Sequence, residues 1–285
     1  MSWSSIAVLG AGTMGAGIAQ VAARAGCRVI LRDLSDDALE RARDSIDASL
    51  AKAISLGKAT AEERDAALTR LEFTTSLDAA VADVDLVLEA VPEDLALKQR
   101  LFREAQAHCR ADADFATNTS SLSIATIAAA TDRPDRVIGL HFFNPVPVMK
   151  LLEIVRGEAT RESLVDSARG LAERLGKTAI LVRDTPGFAT SRLGVLLGLE
   201  AMRMVESGVA SAQDIDTAMT LGYGHPMGPL RLTDLVGLDV RLGIADYLFA
   251  TLGSEAFRAP ELLRRMVAEG LLGKKTGRGF YEWGS

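Results

Sequence analysis

At 285 residues the chain is long for one small domain and sufficient for two, and its 48% hydrophobic content with few aromatic residues provides for sizeable aliphatic cores. A formal net charge of −6 argues against general nucleic-acid binding, which needs a basic face. Two cysteines, Cys27 and Cys109, in separate apolar or helical settings exclude a disulfide framework and suit a reducing cytoplasm.

Ile6 to Leu9 read as a short apolar strand, and Gly10-Ala11-Gly12-Thr13-Met14-Gly15 follows at once. A helix-like stretch from Ala16 to Ala25 and a second strand, Cys27 to Leu31, lead to Arg32-Asp33. This is G-x-G-x-x-G in the strand–turn–helix–strand setting that gives the motif its meaning. Gly10 permits the tight turn, Gly12 lets the backbone approach a pyrophosphate, and Gly15 lets the helix pack on the strand. Thr13 and Met14 complete the loop, and the helix start presents N–H groups to phosphate charge. Asp33 is placed to accept hydrogen bonds from an adenosine ribose, and its carboxylate disfavours a 2′-phosphate, so the expected cofactor is NAD. Arg32 beside it would tolerate that phosphate if its side chain turned inward. Residues 1 to 23 carry no charge, but they lack a basic start and hold four glycines. A nucleotide loop explains them better than a signal peptide, and neither a targeting segment nor a membrane span is expected.

Ser35-Asp36-Asp37 has the form of a helix start, with a hydroxyl to cap and acids for the positive end of the dipole. Leu39, Ala42, Ile46, Leu50 and Ala53 recur at helical spacing until Gly57, and a further helical piece runs from Ala61 to Leu71. The pair is an insertion over about 35–71. Its Lys52, Lys58 and Arg64 form either a patch for an anionic ligand or a solvated helical face. Strand-like runs follow at Val84–Glu89, Asp114–Thr117, Val137–His141, Val148–Val155 and Thr178–Val182. Strands alternating with helices predict a Rossmann-type α/β fold, a doubly wound and mostly parallel sheet. Asp184-Thr185-Pro186-Gly187 breaks the pattern, and the sequence is helical from there to about Ala268. Residues 1–185 are therefore expected to form the nucleotide-binding domain and 186–285 an all-helical second domain. Leu193, Leu196, Leu197, Glu200, Ala201 and Met204 give that domain an amphipathic face suited to burial against a twin subunit.

The densest chemistry lies between Asn118 and Glu153: N-T-S-S-L-S-I, then R-V-I-G-L-H-F-F-N-P-V-P-V-M-K-L-L-E. His141 closes an apolar strand, and two prolines in Phe142–Pro147 favour a reversal. A hairpin centred near Pro147 puts Glu153 opposite His141, close enough for the carboxylate to hold one ring nitrogen. An imidazole so oriented, with Ser120 and Asn144 nearby in sequence, is equipped to take a proton from an alcohol. Ser120 and Ser121 are equally placed to cap the following helix. His108 reads as a surface residue and His225, in a proline–glycine loop, as structural. No histidine or cysteine cluster has metal-ligand spacing. A Ser-His-Glu hydrolase is disfavoured, since there is no G-x-S-x-G elbow and the dinucleotide unit would go unexplained.

With T-P-G-F at 185–188, H-P-M-G-P-L at 225–230 and G-K-K-T-G-R-G-F-Y near the C-terminus, these motifs make the chain resemble the short-chain, L-specific 3-hydroxyacyl-CoA dehydrogenases, which include bacterial 3-hydroxybutyryl-CoA dehydrogenases. The resemblance covers nearly the whole sequence. It implies that His141 is the general base for the substrate's 3-hydroxyl, that Glu153 orients it, and that Ser120 hydrogen-bonds the substrate oxygen. Asn144 and Asn118 would belong to the NAD site, as would Glu93 and Lys98 in V-P-E-D-L-A-L-K. Ser49 and Lys52 would contact the coenzyme A moiety, with the helical insertion covering it, and the second domain would form a homodimer. The family usually reads P-G-F-x-x-N-R, its asparagine touching substrate, where this chain has Pro186-Gly187-Phe188-Ala189-Thr190-Ser191-Arg192. Ser191 offers one hydroxyl of shorter reach in place of an amide, so substrate placement is where this chain departs. Two alternatives share the scaffold: oxidation of a 3-hydroxy acid that carries no coenzyme A, for which Lys52 would hardly matter, and a non-catalytic NAD-binding relative of the lens-crystallin kind.

Overall fold

The computed structural model describes residues 3–284. They form two compact units that divide at Thr185–Pro186. In the first, β1 (Ser5–Leu9), α1 (Thr13–Arg24) and β2 (Arg28–Arg32) precede a helical pair, α2 (Asp36–Ser55) and α3 (Ala61–Leu68). Next come β3 (Leu71–Thr74), α4 (Leu77–Val81), β4 (Leu86–Glu89), α5 (Leu95–His108), β5 (Asp114–Thr117) and α6 (Ile124–Ala128). The unit closes with β6 (Val137–Phe142), β7 (Leu151–Arg156), α7 (Glu162–Arg174) and β8 (Thr178–Arg183). The eight strands lie in the order β3-β2-β1-β4-β5-β6-β7-β8. All neighbours are parallel except β6 and β7. Such a sheet buries both faces, which is why its strands read as continuous apolar runs rather than alternating ones.

The chain reverses strand order at β1, whose neighbours are β2 on one side and β4 on the other. Open parallel sheets bind ligands in the crevice at that switch point, beyond the carboxyl ends of the strands. Loops after β1, β4, β5 and β6 all leave the sheet at that edge. Helix α1 packs close because it carries glycine where a side chain cannot fit. A Cβ on Gly15 would overlap the Gly10 carbonyl, and one on Gly17 would stand 2.8 Å from Val146 Cβ in the β6–β7 loop.

Two sequence expectations need correction. The helical piece expected over Ala61–Leu71 ends at Leu68, and Leu71–Thr74 is an edge strand followed by a short helix, neither of which the hydrophobic spacing revealed. Thr60 and Glu63 form a capping box that fixes the start of α3. Its low amphipathicity left its end unmarked. Helix α6, in turn, is capped by Ser123, which accepts from Thr126 N at 3.2 Å, and not by Ser120 or Ser121.

The second unit is helical: α8 (Thr190–Glu206), α9 (Ala212–Thr217), α10 (Pro229–Val236), α11 (Leu238–Leu252) and α12 (Glu261–Ala268). No strand is present among its described residues. Its core takes Val195, Leu199 and Met202 from α8. The amphipathic face read from sequence is thus divided: Ala201 is buried and Leu196 and Met204 partly so, while Leu193 and Leu197 remain 61% and 44% exposed. Two buried carboxylates organise the rest. Asp216 accepts from Leu230 N (2.9 Å), Arg231 N (2.8 Å) and Tyr281 Oη (2.7 Å), which caps α10 and explains the close Gly228 of H-P-M-G-P-L. Asp234 accepts from Phe280 N, Tyr281 N and Trp283 Nε1, each at 2.9 Å, and so pins the G-K-K-T-G-R-G-F-Y tail.

Candidate active site

The antiparallel register of β6 and β7 pairs His141 with Glu153, the partner that the hairpin spacing predicts. His141 Nδ1 lies 2.7 Å from Glu153 Oε2. Both are buried, Glu153 completely, so the contact sits in low dielectric where it is strongest. The Phe143 ring stacks at a tilt on the imidazole, centroids 4.5 Å apart. Lys177, buried at the start of β8, donates to the carbonyls of Val146 (2.7 Å) and Met149 (2.6 Å) and so ties down the loop between the two strands. Its burial pulls its ammonium below the usual lysine range. Nothing in the sequence marked Lys177 for this role.

Asn118, at the end of β5, accepts from Phe142 N at 2.8 Å and thereby joins β5 to the end of the histidine strand. After it, Thr119, Ser120 and Ser121 converge on Glu93. Glu93 Oε1 accepts from Thr119 Oγ1 (2.6 Å), Ser120 N (2.9 Å), Ser120 Oγ (3.1 Å), Ser121 N (3.2 Å) and Ser121 Oγ (3.3 Å). Burial alone would raise this carboxyl, but the Lys98 charge and the hydrogen bonds from Thr119 and Ser120 outweigh it and hold the group below the ordinary value. Lys98 itself is 1% exposed, paired with Glu89 at 2.6 Å and with Glu93 at 3.4 Å. The sequence reading passed over Glu89; the signal was an acid closing the apolar run Leu86–Leu88. Burial pushes its carboxyl up, and Lys98, the Thr117 hydroxyl and Val91 N offset that only in part. Asn144 is exposed in the β6–β7 loop.

The glycine loop can hold the expected dinucleotide. Gly10 adopts φ +107°, a conformation that favours glycine, and a Cβ there would run into the Ala90 carbonyl. A Cβ on Gly12 would meet nothing within 4 Å, so the backbone at Gly12 and Thr13 is open to a pyrophosphate at the start of α1. That helix start has no side-chain cap. Asp33 Oδ2 accepts from Ala11 N at 2.8 Å and Oδ1 from Ser35 N at 3.2 Å, which fixes the carboxylate beside the loop. A carboxylate has roughly four lone-pair sites, so capacity for ribose hydroxyls remains.

Ser49 and Lys52 lie on α2, one turn apart, with Lys52 exposed. Arg64, read with Lys52 and Lys58 as either an anion patch or a solvated face, is paired with Asp47 at 2.6 Å and Asp65 at 3.1 Å. Ser191 stands in the first turn of α8, in the second unit. Among the described residues no cluster of three or more metal-ligating side chains occurs, and no helix is long and apolar enough to cross a membrane.

Comparison with known proteins agrees with this geometry. The NAD binding domain of 3-hydroxyacyl-CoA dehydrogenase matches residues 5–185, and the C-terminal domain of the same family matches 187–283. A 3-hydroxybutyryl-CoA dehydrogenase of Mycobacterium tuberculosis is 47% identical over 280 residues, 98% of each chain. A probable 3-hydroxybutyryl-CoA dehydrogenase of Bacillus subtilis is 44% identical, covering 99% of this chain and 98% of its own. The crystal structure of (S)-3-hydroxybutyryl-CoA dehydrogenase PaaH1 from Ralstonia eutropha superposes with a TM-score of 0.95 at 40% identity, each chain covered in full. A glycine loop at the switch point, a carboxylate-tied histidine at the same sheet edge, and both family domains end to end place this chain in the 3-hydroxyacyl-CoA dehydrogenase family.

Proposed function

We propose that the chain is an NAD-dependent dehydrogenase that interconverts L-3-hydroxybutyryl-CoA and the corresponding 3-ketoacyl thioester, with His141 as general base. The observation that carries the reading is the 2.7 Å contact between His141 Nδ1 and Glu153 Oε2. With Nδ1 engaged, proton exchange with the 3-hydroxyl falls to Nε2, and the Glu153 carboxylate stabilises the imidazolium that forms. Bound NAD supplies the hydride acceptor. Ser120 hydrogen-bonds the substrate oxygen, Asn144 and Asn118 serve the cofactor side, and Ser49 and Lys52 meet the coenzyme A moiety. Ser191 takes the substrate-contacting place at the start of α8. Exposed Leu193 and Leu197 on α8, with Leu235 and Val236 on α10, support a homodimer formed through the second unit. Fatty-acid or butanoate metabolism in the cytoplasm is the setting this reading expects.

NADH oxidation with acetoacetyl-CoA, alongside free acetoacetate, tests it. Turnover of the thioester alone is the expected result. Equal turnover of free acetoacetate would favour a dehydrogenase for an acid without coenzyme A, and no turnover of either with NADH still bound would favour a binding protein.

A further inference from the structure

Behind the serine loop lies an ion network whose buried end, Glu89, has no part in the reaction as described. Thr117 Oγ1 donates to Glu89 Oε2 at 2.7 Å, and Glu89 Oε1 accepts from Val91 N at 2.8 Å and from Lys98 Nζ at 2.6 Å. Lys98 Nζ also donates to the Val91 carbonyl at 3.2 Å. Glu89 and Lys98 are 0% and 1% exposed. Beside this pair stands the partly exposed Glu93, whose Oε2 is 3.4 Å from Lys98 and whose Oε1 collects the donors of Thr119, Ser120 and Ser121.

We infer that Glu89 is a positioning residue for Ser120, acting through Lys98 and Glu93. Stability alone does not call for the pair, because apolar side chains of similar volume replace buried ion pairs at little or no loss. What a charged pair adds here is direction. Glu89, itself held by Val91 N, fixes the ammonium together with the Val91 carbonyl, and the ammonium then anchors one oxygen of Glu93, a side chain 37% exposed that would otherwise turn to water. Glu93 is thereby aimed at the loop. A carboxylate only accepts, so the Ser120 hydroxyl donates to it and the serine oxygen takes one place. A serine hydroxyl is far less acidic than a carboxyl, so the proton stays on serine, where a substrate oxygen can compete for it. The relay joins the ends of β4 and β5, which are adjacent in the sheet, to the loop that faces the histidine strand.

This inference rests on the proposed dehydrogenase reading for its catalytic consequence, and its test has a readout that does not. In the double variant Glu89→Gln/Lys98→Met, both charges leave together, so neither is stranded. Amide exchange at Ser120 and Ser121, whose N–H groups donate to Glu93, is expected to quicken several-fold while the β6 amides stay unchanged. Turnover of acetoacetyl-CoA is expected to fall roughly ten- to hundredfold, with KM for the thioester little altered. In a Ser120→Ala background the same change should cost almost nothing further, since both act on one hydroxyl. Unchanged exchange at 120 and 121, or a full loss of turnover persisting without Ser120, overturns the assignment. If the double variant does not fold, the isosteric Glu89→Gln alone is read in the same way. Wild-type turnover judges the dehydrogenase reading; exchange at the two serines judges the relay, with or without turnover.

Discussion

A histidine with Nδ1 held by a carboxylate exchanges protons through Nε2, and that tie is what separates His141 from an ordinary core residue. The pair was legible in the sequence because an antiparallel hairpin makes register a matter of counting, so a separation of twelve positions fixed the partner. The Glu93 cradle was not. Its donors come from a loop 26 to 28 residues away, reached through a parallel crossover whose register no local spacing reveals. The proposed preference for NAD over NADP turns on Asp33, beside the glycine loop. Replacing it with alanine removes the charge that repels a 2′-phosphate, and the ratio of NAD to NADP efficiency is expected to drop on the order of tenfold or more. An unchanged ratio would put the selectivity elsewhere. Glu93 gives a pH signature. Its folded-state pKa lies below the ordinary 4.5 despite burial, through Lys98 and the loop donors. Its contribution to stability is therefore present above about pH 4.5 and lost as pH falls through the lower, folded value. Melting temperatures of the wild type and Glu93→Gln should converge as pH drops through that window. A gap that stays constant from pH 7 to 3 would contradict the sign.

At the scale of elements, the long apolar strands and the capped helix α2 were readable because each carries its own punctuation: Ser35 before α2, whose side chain accepts from Ala38 N, and Gly57 at φ +66° after it. Strand β3 escaped because four residues at a sheet edge, three half-buried and Glu72 exposed, leave too little pattern to count. The face of α8 was only partly legible for another reason. Helical spacing shows that a stripe is apolar, but Val195, Leu199 and Met202 form a second stripe on the same helix, and only packing shows which one meets the core. The β6–β7 connection depends on a residue that sequence could not reveal. Lys177 closes the loop by bonding two of its carbonyls. Lys177→Met is expected to cost about 1–3 kcal/mol in urea unfolding, because two buried acceptors lose their donor. It should also lower turnover more than NADH affinity, since the loop carries the turn that sets His141 against Glu153. Unaltered stability would show that water replaces the ammonium without loss.

For the whole molecule, the two motifs of the helical unit that most resemble the family are built on buried carboxylates, Asp216 under H-P-M-G-P-L and Asp234 under the C-terminal tail. They explain a recognisable sequence through architecture rather than chemistry. The proposed homodimer makes a direct prediction. Leu193→Asp with Leu197→Asp places two charges on an exposed apolar stripe that the unit's own core does not use. Sedimentation should then find monomers where the wild type sediments as a dimer, with the helical signal intact; a wild type that is already monomeric would refute the dimer. The central claim, that this family scaffold uses His141 as its base, is tested most directly by turnover of acetoacetyl-CoA in His141→Ala with NADH binding measured on the same sample. The account predicts a loss of about a thousandfold or more in kcat with NADH affinity within a factor of about two. Turnover near the wild-type rate, with NADH bound equally well, would contradict it.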